Sequence, residues 1–394
     1  MISVGLDISS KKITIIEVLQ TRKGMAIKNA IDFEIPQDSI KNGELQDPVV
    51  LSKGLKKVWR KYKISGRNVF VGLSNLKAIV KEVELPLVDD NEISNSLKYQ
   101  INDFIPIPKD NILYDYYIME KQKSSSKIML VGAMKSMIMN VIEAVKGAGL
   151  ISQAIDLNCF SLFRTLDYVY NFSKNKKSLC AVNLGQDISV IEIIENDTLK
   201  FPRFLSNSVS SFTANLERMT SEDTDFSSEI INNFDFSSLI KGSTGTKKAK
   251  GLIKSDTDSN AEKTKTSKEE KSPPKEKEVE SAEDKIKKAI NDEKIIEIMS
   301  NTADNLINEI NMSIEHYIQE NSRSKIEKIV LTGENLINFE KYIKQETNYK
   351  VEKLDCSGSF TLDNLKKNPI YKSMDLSEIL NPLAIGMAIR GIKK

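Results

Sequence analysis

The sequence predicts an α/β protein with two lobes of similar construction, and three features of the chain support this prediction. The first is the opening stretch MISVGLDISSKKITIIEVL (1–19), in which two apolar, β-branched runs flank a polar turn. The second is the return of that pattern in SLCAVNLGQDISVIEIIENDTLKFPRF (178–204). The third is the alternation of strand-like runs with segments of helical apolar spacing. A strand–turn–strand unit that occurs twice indicates an internal repeat, which is the strongest clue to the organisation of the chain.

The first lobe is expected to continue through three more strands and a helix. MAIKNAIDFEI (25–35) predicts a third strand, and NVFVGL (68–73) and KAIVKEVEL (77–85) predict two more. Residues 49–62 predict a helix, because their apolar side chains recur three or four positions apart with Lys and Arg between them. These apolar side chains are Val49, Leu51, Leu55, Val58 and Tyr62.

The central segment predicts helix, two strands and a second helix. DDNEISNSLKYQINDFI (89–105) has one apolar helical face, and acids crowd its first turn, where the helix dipole favours them. ILYDYYIME (112–120) and SKIMLVGAM (126–134) predict strands. KSMIMNVIEAVKGAGL (135–150) predicts a helix that ends at glycines. A short strand and an apolar helix ending near Tyr170 follow.

The composition changes sharply in residues 242–285, which contain no aromatic residue and almost no aliphatic one. Such a segment buries too little apolar surface to offset its ordering entropy, so we expect a disordered tether. The Ser/Asn-rich residues 206–241 are not placed by the sequence alone. Beyond the tether we expect a long helix over 287–321, a strand–turn–helix unit over 325–345 and an Ala/Gly-rich last helix.

Composition excludes several classes of function. The chain has 394 residues, 40% hydrophobic and 28% charged, which allows two or three packed domains. Lys and Arg number 57 against 55 Asp and Glu, so no overall field indicates a nucleic-acid partner.

Cysteine and histidine usage argues against a zinc site and for a reducing compartment. Cys159, Cys180, Cys356 and the single His316 are scattered, whereas zinc ligands cluster. The first 19 residues lack the basic start and unbroken apolar core of a signal peptide. No run approaches the ~20 apolar residues of a spanning helix. We therefore expect a cytoplasmic protein that reaches a membrane only through a partner.

Three polar turns, each at the end of an apolar strand, are the candidate functional residues. They are 7–12, 183–187 and 332–335. Each alone is also typical of an ordinary turn. Together, their backbone N–H groups and hydroxyls could hold a phosphate chain from two sides, and their acids could hold Mg²⁺ through water.

These stretches and the central segment carry a family resemblance. VGLDISSKKITIIEV, VNLGQDISVIEII, KIVLTGENLINFEKYI and the ending NPLAIGMAIRGI resemble the actin-like ATPases, and within them the PilM family of type IV pilus assembly. The layout LP…EI…YQINDFIPIP…YDY is similar to an extra subdomain that this family shares with the division protein FtsA. The resemblance covers about 1–204 and 287–394, and implies an actin-like (ribonuclease-H-like) two-lobed ATPase fold with an inserted α+β subdomain.

The resemblance implies a domain division and an ATP–Mg²⁺ site. Lobe one would comprise 1–83 and a closing helix at 157–178, with the FtsA/PilM-type insertion at 84–156. Lobe two would comprise 179–241 and 286–394, joined by the tether at 242–285. Asp7 and Asp187 would hold Mg²⁺ through water. The nucleotide-binding residues would be Asp7, Ser9, Ser10, Lys12, Asn183, Gly185, Gln186, Asp187, Gly333, Glu334 and Asn335.

Three departures from the family pattern predict at most a weak ATPase with no catalytic residue, and one of them is that the family's glycine pair after the second loop is not recognisable in residues 200–241. The second phosphate loop usually begins with Asp, and here it begins with Asn183. The adenosine loop usually has consecutive glycines, and here Glu334 follows Gly333. No residue is an evident base for activating water.

NDFIPIP (102–108) allows two interpretations. It is the end of a helix stopped by prolines, with its apolar side chains packed inward. By resemblance, it is also the wall of a groove between the first lobe and the insertion, where PilM relatives bind the cytoplasmic N-terminus of the membrane protein PilN. The predicted peptide-binding residues are Asp103, Phe104, Ile105 and Pro106. Strands 77–85 and 112–120 could supply an edge for strand addition.

The resemblance thus predicts an adaptor rather than a catalyst. It implies a cytoplasmic protein at the inner face of the membrane that serves pilus assembly and twitching motility. Its implied partners are a PilN-like single-span protein, the pilus assembly ATPase and other copies of itself. The alternatives are an FtsA-like division protein that polymerises at the membrane and, from another class, a small-molecule kinase of the same fold.

Overall fold

The computed structural model describes residues 1–36, 39–41, 43–86, 89–175, 177–240, 281–371 and 375–392. Most of the predicted tether, residues 242–280, lies outside the described residues. The prediction was wrong for its last residues, because helix α7 (Ala282–Ala289) begins within them. The Ser281 side chain accepts a hydrogen bond from Asp284 N and so caps this helix.

The first lobe is built on a five-stranded sheet in the order β10-β6-β1-β2-β3. Strands β1, β2 and β3 form an antiparallel meander, and β6 and β10 run parallel to β1. Strand β1 is buried on both faces after its first residue, because helices cover both sides of the sheet. The bounds are β1 Ile2–Ile8, β2 Lys12–Thr21, β3 Gly24–Glu34, β6 Asn68–Leu73 and β10 Ile151–Leu157.

Two pairs of helices enclose this sheet. Helices α1 (Pro48–Lys61) and α3 (Lys135–Gly147) share one apolar core with the sheet, and the short pair β4 (Ile40–Lys41) and β5 (Glu44–Leu45) precedes α1. Helices α4 (Asn158–Tyr170) and α12 (Pro382–Ile392) lie at its other face. A Cβ at Gly5 would lie 1.9 Å from the Ala384 carbonyl oxygen, so only glycine lets α12 approach β1 this closely.

A smaller antiparallel sheet, ordered β7-β9-β8, lies within the predicted insertion. Its strands are β7 Ile79–Leu85, β8 Ile112–Lys121 and β9 Ser126–Met134, and helix α2 (Asp90–Phe104) packs on one face. The predicted boundaries were 84–156, but the pairing of β7 with β9 begins at Ile79. At the other end, α3 and β10 belong to the core and sheet of the first lobe. The division into domains remains a prediction.

The second lobe repeats the meander, which accounts for the repeated sequence pattern. Its sheet has the order β13-β12-β11-β14-β15, with β11–β13 antiparallel and β14 and β15 parallel to β11. The bounds are β11 Ser178–Leu184, β12 Ser189–Glu195, β13 Thr198–Leu205, β14 Lys328–Gly333 and β15 Lys350–Lys353.

Residues 206–240, which the sequence left unplaced, complete the core of the second lobe. They form α5 (Val209–Thr220), α6 (Thr224–Asn233) and a 3-10 turn (Phe236–Leu239). Phe212, Phe234 and Phe236 are fully buried with α8 (Glu293–Glu320) and α9 (Phe339–Glu346). The predicted helix over 287–321 begins later, at Glu293, because the Asp292 side chain caps it there.

The last helices return to the first lobe, although 286–394 was assigned entirely to the second. Helix α10 (Asp363–Lys367) packs against β3, and α11 (Leu376–Ile379) precedes α12. Every residue of α12 from Pro382 to Ile389 is buried, because its small residues allow contact with β1 and α4. Within the described ranges, no helix is long and apolar enough to span a bilayer.

Candidate functional site

A cleft of about 660 Å³ lies where strands β1, β11 and β14 end. Strands β11 and β14 are parallel, and Leu184 pairs with Gly333, so their following turns meet at one edge. The β1–β2 turn faces them from the first lobe. Of the predicted nucleotide-binding residues, all but Ser10 line this cleft: Asp7, Ser9, Lys12, Asn183, Gly185, Gln186, Asp187, Gly333, Glu334 and Asn335.

Ser10 joins the first turn to the second. Its backbone N–H donates to Asp187 Oδ2 at 3.0 Å, and its hydroxyl donates to Asp187 Oδ1 at 2.6 Å. The Ser210 hydroxyl, at the start of α5, donates to the same Oδ1 at 3.1 Å. The Asp187 carboxylate therefore connects the two lobes across the cleft.

Asp7 lies at the floor of the cleft and is only 8% exposed. Its carboxylate accepts hydrogen bonds from Asn158 Nδ2 at 2.9 Å and Asn381 Nδ2 at 3.1 Å. Burial raises the pKa of Asp7 to about 6, and the two amide donors only partly oppose this effect. Asp7 can therefore change its charge near neutral pH.

Sequence reasoning missed Asn158 and Asn381, although each stands where a helix begins. Asn381 Oδ1 accepts hydrogen bonds from Leu383 N and Ala384 N, so it caps α12 while its amide group contacts Asp7. An Asn directly before the apolar run PLAIGMAI is a capping signal that could have found it. Asn158 has no such signal, since only the fold brings α4 to β1.

Lys12 lies between two carboxylates in the cleft. Its Nζ is 2.8 Å from Asp32 Oδ2 and 3.9 Å from Glu334 Oε1. Burial alone would lower the pKa of Lys12, but the Glu334 and Asp32 carboxylates raise it above its ordinary value. Asp32 is held in turn by the Thr14 hydroxyl at 2.8 Å.

The third turn is tightly constrained at Gly333, which has a φ of +97°. A Cβ there would lie 2.1 Å from the Leu184 carbonyl oxygen, and Glu334 N donates to that same oxygen at 2.7 Å. Asn335 Oδ1 accepts from Lys353 Nζ at 2.9 Å. The turn therefore requires glycine for its conformation, and it places the Glu334 charge in the cleft.

The cleft lining is suited to an anion accompanied by a cation. Its acidic side chains, Asp7, Asp32, Asp187, Glu334 and Asp355, outnumber the two ammonium groups of Lys12 and Lys353. Asn183 Oδ1 and Asn158 Oδ1 are buried and have no hydrogen-bond partner among the described residues, and both residues line the cleft. Unsatisfied oxygens of this kind suit a hydrated cation or a ligand hydroxyl. In the part of the chain described, no group of three or more acidic, His or Cys side chains forms a direct metal site.

A second cavity, a groove of about 1070 Å³, lies between the three-stranded sheet and the first lobe, and Asp197, Thr198 and Leu199 of the second lobe also line it. Strands β8 and β9 form one wall, and α3, β10 and α4 form the other. Val131, Ala133 and Leu113 face the groove, whereas their neighbours Ile128, Leu130 and Ile112 pack against α2. Strand β8 is an edge strand of its sheet, as is β7.

None of the predicted peptide-binding residues lines this groove. Ile105 is fully buried in the core between α2 and the sheet, and Phe104 is partly buried at its margin. Asp103 and Pro106 are exposed beside them. These positions follow from strand alternation, since α2 covers the face of the sheet opposite the groove. Peptide binding at Asp103–Pro106 remains a prediction, while inward packing of Ile105 is what the structure shows.

The groove contains a charge cluster that sequence reasoning missed. Asp156, near the end of β10, pairs with both Arg164 of α4 and Arg390 of α12. One guanidinium nitrogen of Arg164, Nη1, is buried and finds no hydrogen-bond partner in the part of the chain that the structure describes. No spacing in the sequence links these residues, because they come from three separate elements.

Comparison with known proteins identifies the family. The family model described as Type IV pilus assembly protein PilM matches residues 5–207, which is more than half of the chain. The chain belongs to the PilM family. This membership confirms the resemblance found in the sequence.

Three solved structures are similar to this chain to different degrees. A structure described as the PilM-PilN type IV pilus biogenesis complex superposes with a TM-score of 0.75 at 16% identity, covering 100% of this chain and 99% of that one. EutJ, an ethanolamine utilization protein from Carboxydothermus hydrogenoformans, gives 0.47 at 11% identity, covering 98% and 90%. MreB 5 of Spiroplasma citri, bound to AMPPNP, gives 0.46 at 10% identity, covering 91% and 92%. The predicted actin-like fold is confirmed.

Proposed function

We propose that this PilM-family protein is an adaptor of the type IV pilus assembly platform at the inner face of the cell membrane. It docks the cytoplasmic N-terminal peptide of a PilN-like single-span membrane protein in the groove beside β8. The observation that carries this proposal is an open, largely apolar groove of about 1070 Å³ along an edge strand. The similar solved structure is described as a PilM-PilN complex.

The groove offers both requirements for binding an extended peptide. Edge strand β8 can add main-chain hydrogen bonds, and alternate side chains of the peptide can enter the apolar space. Leu113 and Tyr117, which face the groove, are 41% and 70% exposed, so docking a peptide would bury them. Arg164 and Arg390, which line the groove beside Asp156, can donate hydrogen bonds to carbonyl or carboxylate oxygens of a peptide.

ATP with Mg²⁺ is proposed as a structural or switch ligand of the cleft. Asn158 contacts Asp7 in the cleft, while Phe163 and Arg164 of the same helix line the groove. Asn381 and Arg390 connect the two cavities in the same way through α12. A nucleotide that draws the lobes together would therefore shift two walls of the groove. Both oxygens of Asp7 accept amide hydrogen bonds, so we assign it no role as a base and expect at most weak ATPase activity.

The test is a fluorescence anisotropy titration of the full chain with the labelled N-terminal peptide of a PilN-like protein. Leu113→Glu places a charge in the groove and should weaken binding by about tenfold or more. Asp103→Arg changes an exposed residue outside the groove and should leave the affinity unchanged. Weakening by Asp103→Arg but not by Leu113→Glu would place the peptide at the end of α2 and overturn the groove assignment.

The pilus assembly ATPase and further copies of the chain are additional proposed partners. An FtsA-like or kinase role remains the alternative. Steady ATP hydrolysis by the purified protein alone, or substrate-dependent ADP release, would favour that alternative over an adaptor.

A further inference from the structure

The exposed face of α1 and the turn after it is strongly basic. Residues 48–67 contain no acidic residue. All seven cations of this segment are exposed, and none forms an ion pair with any described residue. They are Lys53, Lys56, Lys57, Arg60, Lys61, Lys63 and Arg67. The rest of the chain is net negative, since the whole chain carries only +2.

The folding of α1 gathers these charges on one side. Leu51, Leu55 and Val58 are buried in the first-lobe core. Lys53, Lys56, Lys57 and Arg60 recur three or four positions apart on the opposite side. The helix is about 21 Å long, so this basic face is an extended strip rather than a pocket.

We infer that this basic face binds the anionic phospholipid surface of the membrane directly. A strip of cations that form no ion pair with the described residues suits a diffuse layer of negative headgroups. It does not suit single-stranded nucleic acid, because Trp59 and Tyr62 are partly buried and offer no free stacking platform. It also lacks the buried apolar anchors of a protein hot spot, since Val49, at 54% exposure, is the one large apolar side chain of α1 exposed to that degree.

The basic face and the proposed docking groove are connected through one helix, α3. Helix α1 packs directly against α3, and a Cβ at Gly147 would lie 2.6 Å from Ser52 Oγ. Helix α3 in turn forms a wall of the groove through Ile138, Ile142 and Lys146. Helix α3 therefore contacts both the groove and the helix that carries the basic face. The inference goes beyond the proposed function, which provides only indirect membrane attachment.

The experiment is flotation of the full chain with two kinds of vesicle, phosphatidylcholine alone and phosphatidylcholine mixed equally with phosphatidylglycerol. We expect binding only to the anionic vesicles, with release at high salt. The variant Lys53→Gln/Lys56→Gln/Lys57→Gln/Arg60→Gln should lower the partition coefficient by about a thousandfold, because each cation near the surface contributes about 1 kcal/mol. The matched control Lys174→Gln/Lys344→Gln/Lys366→Gln/Lys367→Gln removes the same charge from exposed sites elsewhere and should bind like the original chain.

Two outcomes would overturn the inference. One is equal loss in both quadruple variants, which would indicate a nonspecific charge effect. The other is binding to duplex DNA or polyglutamate but not to anionic vesicles, which would indicate a different partner. Thermal unfolding of both variants serves as the folding control. Titration with the PilN-like peptide tests the proposed function separately from vesicle binding, because all four substituted α1 residues lie outside the groove.

Discussion

The Ser10 backbone N–H and hydroxyl both donate to the Asp187 carboxylate, at 3.0 Å and 2.6 Å. These residues are 177 positions apart and belong to the hairpin turns of the two lobes. The contact therefore connects the lobes at the position where the first and second phosphate loops of the family would meet a ligand.

Asp187→Ala should lower the free energy of unfolding by about 1–3 kcal/mol, because it removes hydrogen bonds to a charged acceptor. Ser10→Ala removes one of the two Ser10 donors and should cost less. Urea unfolding of both variants and of the double variant gives the coupling free energy. Strictly additive effects would show that the two side chains do not interact.

Stability should depend on pH through Asp7. Its pKa is about 6 in the folded protein and 3.8 ordinarily, so the folded state holds the proton more tightly than the unfolded chain. The protonated Asp7 carboxyl makes its full contribution to the free energy of unfolding below pH 3.8. That contribution is lost as the pH rises through about 6. The loss amounts to about 3 kcal/mol.

Asp7→Asn cannot titrate, so the comparison with it isolates this effect from other carboxyl groups. Urea unfolding between about pH 4 and pH 7 should show the original chain losing stability relative to Asp7→Asn. A constant difference across that range would contradict the raised pKa.

Gly333→Ala should destabilise the protein by about 2–4 kcal/mol, because φ is +97° and the new Cβ would meet the Leu184 carbonyl oxygen. Gly358→Ala is the matched control, since no atom lies within 4 Å of its new Cβ. Thermal unfolding should show a large decrease for the first variant and little change for the second. Similar melting temperatures would mean that the third turn relaxes easily.

Glu334→Gln should increase the affinity for ATP, the proposed cleft ligand, by about tenfold. The substitution removes a negative charge 3.9 Å from Lys12, leaving that ammonium freer to bind phosphate. Isothermal titration with and without Mg²⁺ measures the change. Unchanged affinity, with binding in both proteins, would place the phosphates away from Lys12.

The sequence by itself determined the local elements and the repeated unit of this protein. Short apolar, β-branched runs predicted the strands of both meanders, because a strand that is buried on both faces carries apolar side chains on both. The three-four spacing of Ile93, Leu97 and Ile101 gave the buried face of α2. Three polar turns at strand ends gave the candidate cleft residues, since parallel strands end at one edge of a sheet.

Only the tertiary structure decided which distant elements share a surface. Asn158 and Asn381 meet at Asp7 because α4 and α12 both pack near β1. The groove is lined by β8, β10 and α4. Asp103–Pro106 lie outside it, because α2 packs on the opposite face of the three-stranded sheet. Helix α12 lies in the first lobe although it follows the second in the chain. The periodicity of apolar residues predicts which side of a helix or strand is buried. The element that packs against that side depends on long-range contacts, which the local sequence does not encode.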